Sequence, residues 1–190
     1  MMILQAVCIA LLFTGCGGCS LNYSITDADG LTIGYSRLDG NAFVGCVTCA
    51  AEQTEIVIPD AYNGLPVTNL GGYFGRGVPT PFYIEPPIAE DNVFCTDNSE
   101  ITESGALPSA KILNLRYTLK IGKNIKDAAF VRMPVWVAEH DDGTVTVYRP
   151  LVYIEVDAGN RVFYAENGVM YRKADHGRVD GFLYASDFEK

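Results

Sequence analysis

Positive charge and histidine are both scarce in this chain, and each shortage narrows the functions that it can perform. The 190 residues include 14 lysines and arginines against 23 aspartates and glutamates, which gives a net charge of −9 at pH 7. Phosphate backbones and anionic membrane surfaces repel so acidic a chain, and we therefore expect no nucleic-acid partner. The two histidines, His140 and His176, leave few general bases and few ligands for a metal ion.

Long amphipathic helices are also missing from the sequence. No stretch keeps apolar residues at helical spacing over three or more turns, which excludes a helix bundle. Alternating segments separated by turn residues are frequent instead, and they are typical of strands and hairpins. The clearest hairpin joins residues 134–139 to residues 144–149 through a His-Asp-Asp-Gly turn. The prediction is a mainly β fold with little helix.

The amino-terminal segment is apolar and carries no charged side chain before Asp27. Its apolar run is too short for a membrane span of roughly 20 residues, but it suits the apolar region of a signal peptide. The stretch Leu12-Phe13-Thr14-Gly15-Cys16 resembles a bacterial lipobox. In signals of that kind, a peptidase cuts before the cysteine, which is then acylated.

The lipobox resemblance implies a signal peptide over residues 1–15, a lipid on Cys16, a flexible spacer over 16–20 and one domain over 21–190. It also implies an exported lipoprotein, held to a membrane at the cell envelope or surface by its lipid anchor. The alternative interpretation is a buried strand or helix with an ordinary core cysteine.

If Cys16 is acylated, the mature chain keeps Cys19, Cys46, Cys49 and Cys95, which allow three disulfide pairings. Cys46 and Cys49 have C-x-x-C spacing. A zinc site would need a second such pair or two spaced histidines, and a redox motif would need a following helix. The segment after Cys49 instead has the pattern of a strand. We therefore expect a disulfide of an exported domain, with Cys46 bonded to Cys49 or Cys95, and no metal or cofactor.

Three segments share one plan, in which a short strand is followed by a turn and a second apolar segment. They cover residues 56–74, 113–130 and 154–171. They resemble BspA-type leucine-rich repeats of bacteria, most closely over 58–71, which contains Asn63-Gly64-Leu65-Pro66-Val67-Thr68. The resemblance implies a short, degenerate leucine-rich-repeat solenoid with β-hairpin insertions and caps, and with an insertion at about residues 75–109.

The same resemblance implies a non-catalytic surface protein, active in adhesion, that binds a protein or glycan. Four aromatic residues lie among glycines and prolines where a loop can present them, and they are the candidate ligand contacts: Tyr73, Phe74, Phe82 and Tyr83. The alternative is that they pack over the edge of the solenoid. If the contact hypothesis holds, replacing Phe82 and Tyr83 weakens binding without unfolding the domain.

Neither a Gly-x-Ser-x-Gly motif nor a glycine-rich phosphate loop occurs in the chain, and we therefore predict that it is not an enzyme. Two other function classes stay open at this point. One is an exported hydrolase or redox enzyme that uses the acidic residues near 85–109 or the pair Cys46 and Cys49. The other is a purely structural spacer.

The repeat plan also predicts where a ligand binds. The strands at 55–59, 111–115 and 152–156 are expected to lie side by side, as in leucine-rich-repeat folds with a strand-lined contact surface. Because alternate residues of a strand face opposite ways, Val57, Asn114 and Glu155 are expected to face solvent.

The lipid prediction can be tested by replacing Cys16 with serine and fractionating the cells. We expect Cys16→Ser to release the protein from the membrane and to remove the mass of the lipid, since the modified thiol is lost. Cys19→Ser is the control and leaves anchoring intact. A Cys16→Ser chain that stays in the membrane with unchanged mass contradicts the lipoprotein interpretation.

Overall fold

The computed structural model describes residues 23–26, 30–50, 54–74, 78–90, 92–99 and 110–189. The predicted signal peptide, lipid attachment at Cys16 and spacer lie outside these ranges. Within them the chain is mainly β, as predicted, with fifteen strands and a short 3-10 helix at Ala185–Asp187. None of the described segments forms a helix long and apolar enough to cross a membrane.

The strands are short except for two long ones in the second half of the chain. In chain order they are β1 Tyr23–Thr26, β2 Thr32–Leu38, β3 Asn41–Thr48, β4 Glu55–Val57, β5 Ala61–Tyr62, β6 Leu65–Leu70, β7 Gly72–Phe74, β8 Val78–Thr80, β9 Tyr83–Glu85, β10 Val93–Thr96, β11 Lys111–Ile121, β12 Val135–Glu139, β13 Val145–Val156, β14 Phe163–Glu166 and β15 Val169–Arg172.

One sheet is built from strands in the first half of the chain, between Tyr23 and Glu85. Its order is β1-β2-β3-β6-β5, and β9 also pairs with β3. Strands β2 and β3 are joined by Asp39 and Gly40, both with positive φ, which is the turn chemistry that a two-residue hairpin requires. The predicted hairpin at the start of the domain is present, with Tyr23 opposite Tyr35. This sheet forms one side of the core.

The second sheet has the order β10-β12-β13-β11-β4. Strands β12 and β13 form the predicted hairpin, with Trp136 opposite Tyr148. Strands β4, β11 and β13, which overlap the three expected segments, are parallel neighbours, but residues 111–115 pair with neither 55–59 nor 152–156. The register is different from the expected one, because Ile56 aligns with Leu119 and Ile154, whereas residues 111–115 pair with residues 146–150.

The stretch predicted as an insertion or long loop contributes strands to the part of the chain that the structure describes. Strand β8 pairs with β7, β9 pairs with β3, and β10 pairs with β12. Within the segment, β10 is therefore the edge strand of the second sheet, β9 joins the interior strand β3, and β8 forms a separate two-stranded sheet with β7.

The main core lies between the two sheets. Ile56, Leu119 and Ile154 point into it from the three parallel strands, and each is at most 1% exposed. Val44, Val67 and Leu70 enter it from the first sheet. Burying aliphatic side chains of this size contributes about 1.5–3 kcal/mol each, and this apolar contact holds the sheets together.

Polar side chains tie the loops that leave the parallel strands. Asp60, after β4, accepts a hydrogen bond at Oδ1 from the backbone N–H of Lys123, and its carbonyl accepts one from Asn124 Nδ2, both at 3.0 Å. Asn160, after β13, donates through Nδ2 to the carbonyls of Gly122 at 2.9 Å and Ile125 at 3.0 Å. Each loop is thereby fixed to its neighbour.

The Asn160 side chain is satisfied on both sides. Its Oδ1 accepts hydrogen bonds from the backbone N–H groups of Val162 at 2.9 Å and Phe163 at 2.8 Å. The residue is only 1% exposed. Removing the amide would leave several buried backbone groups without partners, which costs much more than the net gain from one hydrogen bond.

We expect Asn160→Ala to lower the free energy of unfolding by about 3–5 kcal/mol, because four hydrogen bonds to backbone groups are lost. Chemical denaturation of the full chain measures this change. The control is Asn114→Ala, an exposed asparagine on β11, which should alter stability by no more than about 0.5 kcal/mol. Equal effects of the two substitutions would contradict the structural role of Asn160.

Candidate functional site

The outer side of the three parallel strands is the candidate site. Alternate residues point away from the core and form two rows, in which Glu55, Thr118 and Tyr153 align, as do Val57, Lys120 and Glu155. We call these six residues the ladder face. Val57, Asn114 and Glu155 are all exposed, as predicted. Asn114 lies outside the ladder face, however, because it pairs with Arg149 nearer the start of β11.

Two shallow grooves cross the ladder face. One, of about 430 Å³, is lined by residues that include Glu55, Arg116, Thr118, Tyr153 and Glu189. The other, of about 360 Å³, runs past Val57, Lys120 and Glu155 to the loop carboxylates Asp60 and Asp157. Both volumes fall in the range of small-molecule sites, roughly 300–1,000 Å³.

One ion pair lies on the ladder face and another lies beside it. Lys120 Nζ lies 2.7 Å from Glu55 Oε2. This hydrogen bond, together with the charges of Glu55 and Glu155, raises the pKa of the Lys120 ammonium. Arg116 makes an ion pair with Glu189 at the rim of the first groove. Such exposed pairs contribute little to stability, but they fix the directions of donors and acceptors.

Tyr153 is held in place by a turn at the edge of β13. Asn167 and Gly168, both with positive φ, form the two-residue turn between β14 and β15. A Cβ atom on Gly168 would lie 2.3 Å from Tyr153 Cδ2, so only glycine allows the ring to pack there. The carbonyl of Gly168 also accepts a hydrogen bond from the N–H of Ile154 at 2.9 Å. The Tyr153 ring therefore packs against the Gly168 turn, and 48% of the residue is exposed.

The four aromatic residues nominated from the sequence do not form one surface. Tyr73 is 46% exposed, with its ring edge-on to Phe130 at 4.6 Å. Phe82 is fully buried, which makes it a core residue and not a contact. Tyr83 is half-buried, with its ring 6.4 Å from that of Trp136. The Phe74 side chain lies outside the described part of the structure.

Backbone pairing explains why Phe82 is buried. The N–H of Phe82 donates to the Phe130 carbonyl, and the Arg132 N–H donates to the Phe82 carbonyl, both at 2.9 Å. This pairing makes the segment extended, so Phe82 and Ile84 face the core while Tyr83 faces away from it. Tyr153 was not among the candidate contacts predicted from the sequence. Because alternate residues of a strand face the same way, the prediction that Glu155 faces solvent also implies that Tyr153 does.

The cysteines also differ from expectation. Cys46 is disulfide-bonded, whereas Cys49 and Cys95 are in the thiol form, so neither is its partner. Strand β3 remains extended through Thr48, and residues three apart in a strand are separated by roughly 10 Å, too far for a disulfide. The expected pairing of Cys46 with Cys49 or Cys95 is wrong for this structure.

Cys49 is buried beside Tyr117. Burial raises the pKa of its thiol to about 12, although the hydrogen bond with Tyr117 acts in the opposite direction. A thiol that stays protonated at neutral pH is a poor nucleophile and a poor redox partner. The C-x-x-C pair therefore offers no support for a redox enzyme.

The carboxylates near the acidic segment have structural partners. Glu85 accepts a hydrogen bond from Thr48 Oγ1 at 2.9 Å. Glu90 accepts one from the Tyr148 hydroxyl at 2.6 Å, and this bond holds the pKa of Glu90 below its usual value. Among the residues described, no group of three or more His, Cys, Asp or Glu side chains is arranged to hold a metal ion.

Both histidines are hydrogen-bonded to residues near them in sequence. His140 Nε2 lies 2.9 Å from Thr146 Oγ1, and His176 Nδ1 lies 3.1 Å from the Tyr164 hydroxyl. These contacts fix the two rings at the surface, on separate hairpins.

Comparison with known proteins assigns no family. No protein-family model matches the chain, and the curated proteins contain no match. Among solved structures, "The Crystal structure of Pneumococcal vaccine antigen PcpA" matches weakly, with a TM-score of 0.17 and 10% sequence identity. The alignment covers 80% of this chain and 54% of that one, so the chain spans about half the length of that structure. A similarity this weak carries no conclusion about fold or function.

The state of the thiols predicts how the native protein reacts with iodoacetamide. At pH 8 we expect Cys49 to be labelled far more slowly than in the unfolded chain, since its pKa of about 12 keeps the thiol protonated. Cys95, which is only half-buried, is the internal comparison.

Peptide mapping without reduction should find Cys46 in a disulfide that contains neither Cys49 nor Cys95. Rapid labelling of native Cys49, or a disulfide between Cys46 and Cys49, would contradict the structure.

Proposed function

We propose that the protein is an exported, lipid-anchored surface protein that binds a protein or glycan through the ladder face and catalyses no reaction. The observation that carries the proposal is the alignment of three parallel strands, which places a supported, exposed tyrosine among oriented charged groups. Sites of this kind, with a concave surface and a few convergent polar groups, are typical of ligand binding.

The proposal includes a relationship to BspA-type repeats. Its support is the parallel pairing of β4, β11 and β13 and the similar way in which Asp60 and Asn160 bind successive loops, although Ile56 aligns with Leu119 and not with the start of the repeat at 113. Stacked strands joined by polar loop contacts are expected of leucine-rich repeats. The described strands form four separate sheets, so the relationship is to a degenerate array interrupted by hairpins.

Non-catalytic binding is preferred over the enzyme alternatives for a chemical reason. The thiol of Cys49 is protonated and buried, and Glu85 and Glu90 are engaged with Thr48 and Tyr148. A hydrolase needs a nucleophile or an activated water beside a group of suitable pKa. Hydroxyl groups do contact a histidine and a carboxylate, as Thr146 contacts His140 and Thr48 contacts Glu85, but neither pair lines a groove of the ladder face.

The proposal is tested by probing the full chain, purified in detergent, on an array of oligosaccharides and an array of purified extracellular proteins. We expect binding to at least one probe, and we expect the double variant Tyr153→Ala with Lys120→Ala to lose it, because both side chains are removed from the ladder face. The matched control is Tyr73→Ala, which removes an equally exposed tyrosine from β7 and should bind normally.

Two results would contradict the proposed function. Binding that survives the double variant but is lost in Tyr73→Ala would place the ligand on the segment around residues 71–87. The absence of binding to every probe would favour the structural spacer. Thermal denaturation of each variant establishes that a loss of binding is not a loss of folding.

A further inference from the structure

The first groove of the ladder face combines an aromatic ring with polar side chains at its rim. Tyr153 forms its apolar part, and its ring rests on Gly168 with almost half of the side chain exposed. Glu55, Arg116, Thr118 and Glu189 line the same groove. The apolar surface is therefore small and is surrounded by hydrogen-bonding groups.

The polar groups of this groove retain unused hydrogen-bonding capacity. Arg116 has five N–H donors, and the ion pair with Glu189 uses only some of them. The Glu189 carboxylate has about four lone-pair sites, and its ion pair with Arg116 occupies only some of them. A ligand can bind these groups in addition to their present partners, whose contacts keep them oriented.

The balance of charge indicates a ligand without net negative charge. Three carboxylates, those of Glu55, Glu155 and Glu189, surround the groove and its neighbouring row, against the two cations Arg116 and Lys120. Both cations are already paired with carboxylates, so they offer no unbalanced positive charge to an anion. An acidic ligand would be repelled at short range.

The apolar content of the face favours a small ring over a protein surface. Protein interfaces are anchored by clusters of aromatic and large apolar side chains in their centres. On the ladder face, within the described residues, only Tyr153 and Val57 are exposed large apolar side chains. They lie on β13 and β4, with β11 between them, so the apolar part of the Tyr153 groove is a single ring and not a continuous patch.

We infer that the Tyr153 groove binds a neutral hexopyranose unit of a glycan, with the sugar ring stacked on Tyr153 and its hydroxyls bonded to Glu55, Arg116 and Glu189. A pyranose ring has an apolar face of C–H groups and a perimeter of hydroxyls that both donate and accept. This matches one aromatic platform bordered by fixed carboxylates and a guanidinium. The inference rests on the proposed function, since it names the ligand of the same face.

The test uses the full chain in detergent on an array of neutral and acidic oligosaccharides, followed by titration with the neutral sugar that binds best. We expect Tyr153→Ala to weaken binding roughly tenfold or more, as loss of an aromatic anchor does. Tyr153→Phe keeps the ring and should bind within about threefold of the parent chain, because stacking depends on the ring. Glu55→Gln should also weaken binding, and the Tyr73→Ala control should leave it unchanged.

Salt dependence provides a second readout. Binding of a neutral sugar should change little between low and physiological salt, whereas binding of an acidic glycan should weaken as the Debye length falls from about 30 Å to about 8 Å. If Tyr153→Ala fails to fold by thermal denaturation, Glu55→Gln combined with Glu189→Gln tests the same groove, since both substitutions are at exposed side chains.

The outcomes separate the inference from the proposed function. Exclusive binding of acidic oligosaccharides, or protein binding that depends on Tyr153 without any sugar binding, overturns the inference and leaves the proposed function standing. Sugar binding that is equal in the parent chain and in both groove variants also overturns it. No binding to any sugar or protein probe overturns both.

Discussion

The parallel stack of β4, β11 and β13 depends on the amide of Asn160. Parallel strands end in loops whose backbone N–H and C=O groups find no partner within the sheet, and buried groups of this kind must be satisfied. Asn160 satisfies the carbonyls of Gly122 and Ile125 on one side and two N–H groups of its own loop on the other. These four hydrogen bonds fix the loop after β13 to the loop after β11. The two strands are thereby held in register, and so are the rows of the ladder face.

The ladder face also depends on a turn that lies far from it in sequence. The Asn167-Gly168 turn brings its backbone against the Tyr153 ring, and its carbonyl extends the hydrogen bonding of β13 beyond the sheet. The ladder face is therefore supported by the buried side chains of Ile56, Leu119 and Ile154, by the Asn160 loop and by the Asn167-Gly168 turn. Side chains placed on such a support lose little conformational freedom when a ligand binds, which favours affinity.

Local features of the fold were predictable from the sequence, because turn chemistry and alternation are local signals. The hairpins formed by β1 with β2 and by β12 with β13 are examples. The register of β11 was not predictable. This strand runs from Lys111 to Ile121, and its two halves, 111–115 and 117–121, both contain alternating apolar and polar residues. Either segment could be aligned with Ile56 on pattern alone.

The errors at the candidate site have a shared cause. Glycine and proline around Phe82 indicate a loop, but backbone pairing with residues 130–132 makes the segment extended and sends its aromatic ring inward. The C-x-x-C spacing indicates a local disulfide, but strand pairing keeps the two cysteines apart. In both cases a partner distant in sequence determines the local conformation, and no local pattern contains that information.

The parallel pairing of β4 with β11 has a consequence for how the chain folds. Glu55 pairs with Thr118 across a long stretch of sequence, and β11 in turn pairs with β13, which follows it in the chain. Contacts this distant in sequence make folding slow compared with that of local hairpins. The amino-terminal part therefore cannot complete its half of the core until β13 is available. A folding intermediate that lacks β13 therefore leaves the apolar side chains of β4 and β11 without their partners in the core.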